Sequence, residues 1–145
     1  MILDSGDRRE FSTGAVRDMS EDKGRCDLMP LNVVSYLLGK DPVIYNIWCF
    51  QNTGDVERLY TALAWFINKA YGCNAETMLL ELAKHFAEGA KKYGESNWQK
   101  GLPVSCYIDS AVRHYLKWHR GDTDEPHDRA FCWNLACCAW EVERK

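Results

Sequence analysis

The stretch Ser105-Cys-Tyr-Ile-Asp-Ser-Ala-Val-Arg-His-Tyr-Leu-Lys-Trp-His119 decides the fold class. Ile108, Ala111, Val112, Tyr115 and Leu116 recur at the spacing of one helical face, and no residues in it alternate as a strand would. The same period continues on both sides. Glu76 to Tyr93 places Leu79, Leu82, Ala83, Phe86 and Ala90 on one face and ends at Gly94. A third helix is expected from about Asp124 to Glu143, with Pro126 tolerated in its first turn. Ala130, Phe131, Asn134, Leu135, Cys138 and Val142 lie along it. Upstream, Asp55 is a good N-cap for a helix from Val56 to Tyr71, whose Leu59, Leu63, Phe66, Ile67 and Ala70 share a face. Leu31 to Leu38 reads as a short helix closed by Gly39, with Asp41-Pro42 beyond it as a stop. The expected class is all-α, a helical bundle with an irregular N-terminal arm.

A chain of 145 residues suits one domain and buries enough surface to hold a core without covalent staples. Its formal net charge of −3 argues against a protein that coats nucleic acid or an anionic membrane through bulk charge. No apolar run approaches the roughly 18 residues of a membrane span, and the first residues do not read as a signal peptide. The 7 cysteines cannot all pair within one chain, and their spacing shows neither C-x-x-C nor a zinc-finger pattern. Free thiols in a reducing cytoplasm are the simplest expectation.

Helical spacing gathers the polar residues into groups. Glu81, His85, Glu88 and Lys92 share one stripe, and Asp109 and Arg113 are one turn apart beside His114. Asp124, Glu125, His127 and Asp128 crowd the start of the last helix. Acids there suit the helix dipole, and a Glu–Lys stripe suits a solvated face. Carboxylates converging from facing helices also hold divalent metals in bundles. Asn134 stands among Phe131, Trp133, Leu135 and Ala136, where an amide needs partners. In the arm, Arg17 and the Lys23-Gly24-Arg25 run set cations beside glycine. That pattern suits phosphate as well as a solvated segment.

Several ordered blocks carry a family resemblance. They are Phe11-Ser-Thr-Gly-Ala-Val-Arg-Asp18, Lys23-Gly-Arg-Cys-Asp-Leu-Met-Pro30, Gly89-Ala-Lys-Lys-Tyr-Gly94 leading to Asn97-Trp98, and Asp109-Ser-Ala-Val-Arg-His114. Gly121-Asp-Thr-Asp-Glu-Pro-His127 follows, then Ala130 with Trp133-Asn134. The set resembles the phage and prophage dATP/dGTP diphosphohydrolase family, which is related to the MazG-like all-α nucleotide pyrophosphohydrolases. The resemblance implies a single domain over 1–145, with a phosphate-contacting arm (1–30), a variable helical insert (31–83) and the family core (84–145). It implies hydrolysis of a purine deoxynucleoside triphosphate to monophosphate and pyrophosphate with Mg²⁺ or Mn²⁺, in a phage-encoded protein working in the host cytoplasm.

By match to the blocks, Glu88, Asp109, Asp124 and Glu125 are expected near metal. Glu88, His114, His127 and Asn134 are expected in the catalytic set. Arg17, Lys23, Arg25, Lys92, Tyr93, Asn97, Trp98 and Arg113 are expected at phosphate or base. The E-x-x-E of MazG-like enzymes is absent; the nearest second-helix element is Asp109 with Arg113, and Asp124 or Glu125 with Asp128 imitates the other half. The relatives imply a homodimer or tetramer. An alternative is a non-catalytic binder of a nucleotide or nucleotide-derived signal, a phage anti-defence sponge. A third reading makes the Trp- and Cys-rich C-terminal patch an oligomer interface.

Overall fold

Asp41 and Pro42 do more than stop the helix before them. Asp41 accepts the Ile44 N–H at 3.0 Å, and Pro42 takes the first helical position, where its missing N–H is no loss. They open a helix that the sequence reading did not anticipate. The computed structural model describes residues 8–11, 16–18 and 23–145, with 8–10 and 16–18 described by their backbone. Among these, the six α-helices are α1 (Leu31–Leu37), α2 (Pro42–Thr53), α3 (Glu57–Tyr71), α4 (Ala75–Tyr93), α5 (Val104–Arg120) and α6 (His127–Glu143). Two strands, β1 (Arg8–Glu10) and β2 (Val16–Asp18), form a small antiparallel hairpin with Arg9 opposite Arg17. It lies in the segment expected to be an irregular arm. The chain is all-α in character, as the periodicity predicts.

The caps follow local chemistry. Asp55 accepts the Glu57 N–H at 3.0 Å at the start of α3. Asn74 does the same for Thr77 at the start of α4. Gly54 closes α2 at φ 71°, a left-handed conformation that a side chain would strain. The last helix begins at His127, three residues later than expected. Pro126 is its N-cap, so Asp124 and Glu125 belong to the connection before it.

α5 lies most extensively against α6, α2 against α3, and α4 against α6. One core cluster runs through all of them, from Leu31, Ile44 and Phe66 to Tyr107, Tyr115, Phe131 and Leu135. The expected faces of α5 and α6 are the buried ones. On α3, Leu59 and Phe66 are fully buried. On α4 the buried stripe is Met78, Leu82 and His85, while Leu79 is 54% exposed. α4 lies at the edge of the bundle, so only a narrow stripe is covered, rotated from the expected face. All seven cysteines are free thiols; Cys49, Cys132, Cys137 and Cys138 are buried as small apolar groups. No helix among the described residues is long and apolar enough to cross a membrane.

Candidate functional site

The connection from α5 to α6 is short and heavily constrained. Gly121 turns the chain at φ 95°, and the Asp122 N–H donates to Lys117 O at 2.9 Å. Pro126 then sets the entry to α6, so that His127, its first residue, lies inside with 2% exposure. From α5, half-buried His114 meets it with the two Nδ1 atoms 2.9 Å apart. On the other side of the ring, His127 Nε2 lies 2.7 Å from Asp124 Oδ1. Glu125, half-buried, brings a carboxylate oxygen within 4.8 Å of nitrogens from both histidines. Asp122 and Asp124 make an overlapping group with His127. The hydrogen bond from His127 holds the Asp124 carboxyl below its ordinary range. Two ring nitrogens this close need a single hydrogen or a cation between them, since two N–H groups or two bare lone pairs would repel.

This junction unites four of the expected residues: His114, Asp124, Glu125 and His127. Asp109 and Arg113 serve a different end. Asp109 accepts from Arg113 Nη2 at 2.7 and 2.8 Å and from the Cys26 N–H at 2.6 Å. Arg113 Nη2 also donates to Gly24 O at 2.8 Å. The pair therefore fastens the Gly24–Cys26 backbone to α5, and Asp109 joins no group of three possible metal ligands among the described residues. Asp128, the second acid of the E-x-x-D match, accepts the Tyr71 hydroxyl at 2.6 Å. It pins α3 to α6.

Glu88 also lies apart from the junction group. It pairs with Arg129 Nη2 at 2.7 Å across α4 and α6. Burial opposes its charge, but Arg129 outweighs it and holds the carboxyl below the usual range. Next to it, His85 is 7% exposed, and its Nδ1 and Arg129 Nε are buried without hydrogen-bond partners among the described residues. Burial first, then Arg129, pushes the His85 pKa down to about 4. An unfolded histidine takes its proton near pH 6.5, so the unfolded state binds more protons between those values, and stability falls as pH drops from about 6.5 towards 4. His85→Leu is expected to remove about 2–3 kcal/mol of the stability difference between pH 7 and pH 4.5, read by urea unfolding at both. An unchanged pH slope would mean that His85 is charged in the fold.

The remaining expected contacts are more dispersed. Trp98 meets Phe86 and Trp140 edge-on, at ring separations of 5.3 and 5.0 Å, as a packing residue. Lys92 Nζ stands 5.4 Å from the Tyr93 ring centre, and Asn97 begins a short 3-10 turn. Buried Asn134 donates to Ala130 O at 2.9 Å, one turn back on its own helix. Arg25 pairs with Asp27 at 2.7 Å on the surface, and Lys23 is exposed. Arg17 lies on β2, and its side chain falls outside the described residues. Sequence reasoning did not single out Asp122, Arg129 or His85 as site residues. Asp122 lay in a quoted block; Arg129 gave no signal in the sequence.

The model of a family described as dATP/dGTP diphosphohydrolase, N-terminal, matches residues 70–145. The match holds the junction, Glu88 and every quoted block from Gly89 to Asn134, and it starts inside the segment expected to be variable. The arm blocks at 11–30 lie outside it. No curated protein and no solved structure gives a match.

Proposed function

Because the chain belongs to the family described as dATP/dGTP diphosphohydrolase, N-terminal, we propose that it hydrolyses a purine deoxynucleoside triphosphate to the monophosphate and pyrophosphate. The observation that carries this is the junction of His114, Glu125 and His127, whose donor atoms converge within 4.8 Å. In the reaction a water oxygen bonds to the α-phosphorus, and the bond to the bridging oxygen of pyrophosphate breaks. The water's proton needs an acceptor, and the proposal gives that role to the Glu125 carboxylate. A divalent ion, Mg²⁺ or Mn²⁺, held by these residues would neutralise charge gathering on the phosphate oxygens. The exposed cations Lys23 and Arg25 are suited to the outer phosphates, and Arg113 acts through the loop it fastens. The proposal includes a phage origin and assembly into a homodimer or tetramer, which sedimentation tests.

The test is pyrophosphate release from a panel of triphosphates with each ion. Glu125→Gln is expected to lower kcat at least about 100-fold with an unchanged melting temperature. No release from any triphosphate with either ion would overturn the proposal. A second reading, capture of a nucleotide without cleavage, is favoured by one observation. Glu88 and Asp109, two of the acids expected at metal, are each paired to an arginine. Tight nucleotide binding without turnover would establish it.

A further inference from the structure

Arg25, Arg120 and Arg144 each set both Nε and Nη2 on a single carboxylate. These two N–H groups lie on one edge of the guanidinium and form its two-pronged donor. All three arginines are exposed. Arg129 is not: its side chain is 7% exposed, and it gives Glu88 only Nη2, at 2.7 Å. Its Nε is buried and has no hydrogen-bond partner among the described residues. An unmatched donor is most costly where water is excluded, so the buried fork is the one expected to be filled.

A second unmatched group shares the cluster. His85 lies one turn before Glu88 on α4, and its Nδ1 is buried without a partner among the described residues. The Arg129 charge opposes its protonation, which places the two side chains close together. The His85 ring is 5.9 Å from that of Trp133, one turn beyond Arg129 on α6. Arg113 also leaves its Nε unmatched, but its Nη2 holds both Asp109 oxygens and Gly24 O, and no second unmatched group adjoins it among the described residues.

Arg129 Nε–H can only donate, so whatever completes the cluster supplies an acceptor, and the permanent charge of the guanidinium favours an anion. A carboxylate is already present and fills one prong. A phosphate group has enough oxygens on a tetrahedron to meet Nε, Nη2 and His85 together. As the monoprotonated ion it suits either tautomer of His85, accepting from an Nδ1–H or donating its hydroxyl to a bare Nδ1. Glu88 can make way, because its side chain is 35% exposed and its carboxylate can turn into water.

We propose that Arg129 and His85 form a phosphate-binding site between α4 and α6, apart from the α5–α6 junction, and that Glu88 is its exchangeable occupant. The ligand is a phosphate group, free or carried on a nucleotide. Its arrival releases Glu88 from α6.

Titration of the full chain with inorganic phosphate tests this, followed by calorimetry and by the Arg129 Nε–H resonance. The resonance is expected to move with phosphate and to stay still with sodium chloride of equal ionic strength. Arg129→Lys keeps the charge but loses the fork, and should weaken phosphate at least about tenfold. Arg129 is buried, so this variant can also lose the fold. Glu88→Gln removes only the competitor and should tighten phosphate about 2–5-fold, a gain that misfolding cannot produce. Titration with dGMP separates the two sources. The same resonance shift at lower concentration assigns the phosphate to a nucleotide, and a shift with inorganic phosphate alone assigns the free ion. Phosphate affinity should be unchanged in Glu125→Gln; its loss there would put the anion at the junction and overturn the proposal. So would a resonance unmoved by either ligand, an equal shift with chloride, or no tightening in Glu88→Gln.

Discussion

Asp41→Ala is expected to destabilise the protein by about 3–5 kcal/mol, because the buried member of an ion pair is lost together with a helix cap and the acceptor of a buried phenol. Asp41 is 2% exposed. One oxygen caps α2 at the Ile44 N–H, and the other receives Lys69 Nζ at 2.8 Å and the Tyr115 hydroxyl. Lys69 also donates to the Tyr115 oxygen at 2.8 Å. Without the carboxylate, α2 loses its cap, a buried phenol loses its acceptor, and Lys69 loses its counter-charge. Burial works against the Asp41 charge, but Lys69 and Tyr115 outweigh it and hold the carboxyl below 3.8. A lowered carboxyl pKa stabilises the fold above the unfolded value, and that contribution fades as pH falls through the folded value. The wild type should therefore lose this contribution below about pH 4, and Asp41→Ala should lack that part of the acid dependence. Urea unfolding from pH 7 to pH 3 reads both effects. A loss under about 1 kcal/mol at pH 7 would show that the network contributes only what a surface pair does.

Phe66→Ala should cost about 3–5 kcal/mol as well, through a cavity. Its ring is fully buried, 4.6 Å from Phe131, 4.8 Å from Trp118 and 5.9 Å from Tyr115 between ring centres. Three elements therefore lose contacts at once, and close packing prevents full collapse into the gap. The control lies next to it in sequence. Trp65 is larger but 46% exposed, so Trp65→Ala should cost less than about 1 kcal/mol. Equal losses for the two would mean that the buried cluster relaxes freely around position 66.

The stretch 42–53 was not legible as a helix, for reasons visible in α2. Val43, Ile44, Ile47, Cys49 and Phe50 are all buried, so apolar residues surround much of the helix and leave a weak period. α5 was legible because Ser105, Ser110 and Lys117 alternate cleanly with its apolar face. At the junction, the family blocks brought His114, Asp124, Glu125 and His127 forward. They did not suffice for Glu88 or Asp109. A carboxylate looks the same in sequence whether a metal or an arginine faces it, and the decisive partners are Arg129, 41 positions away, and the Cys26 N–H, 83 positions away. Asn134 was rightly expected to be buried, but its nearest need is met by the Ala130 carbonyl of its own helix.

The short α5–α6 connection also bears on the order in which the chain assembles. His114 and His127 are separated by 13 positions, whereas the bonds of Tyr115 to Lys69 and Asp41 span 46 and 74. Loop-closure entropy rises with the length enclosed, so the junction needs little long-range search, and the attachment of α2 and α3 needs far more. The α5–α6 turn thus belongs to the local, early-closing part of the topology, and the attachment of α2 and α3 to the late one.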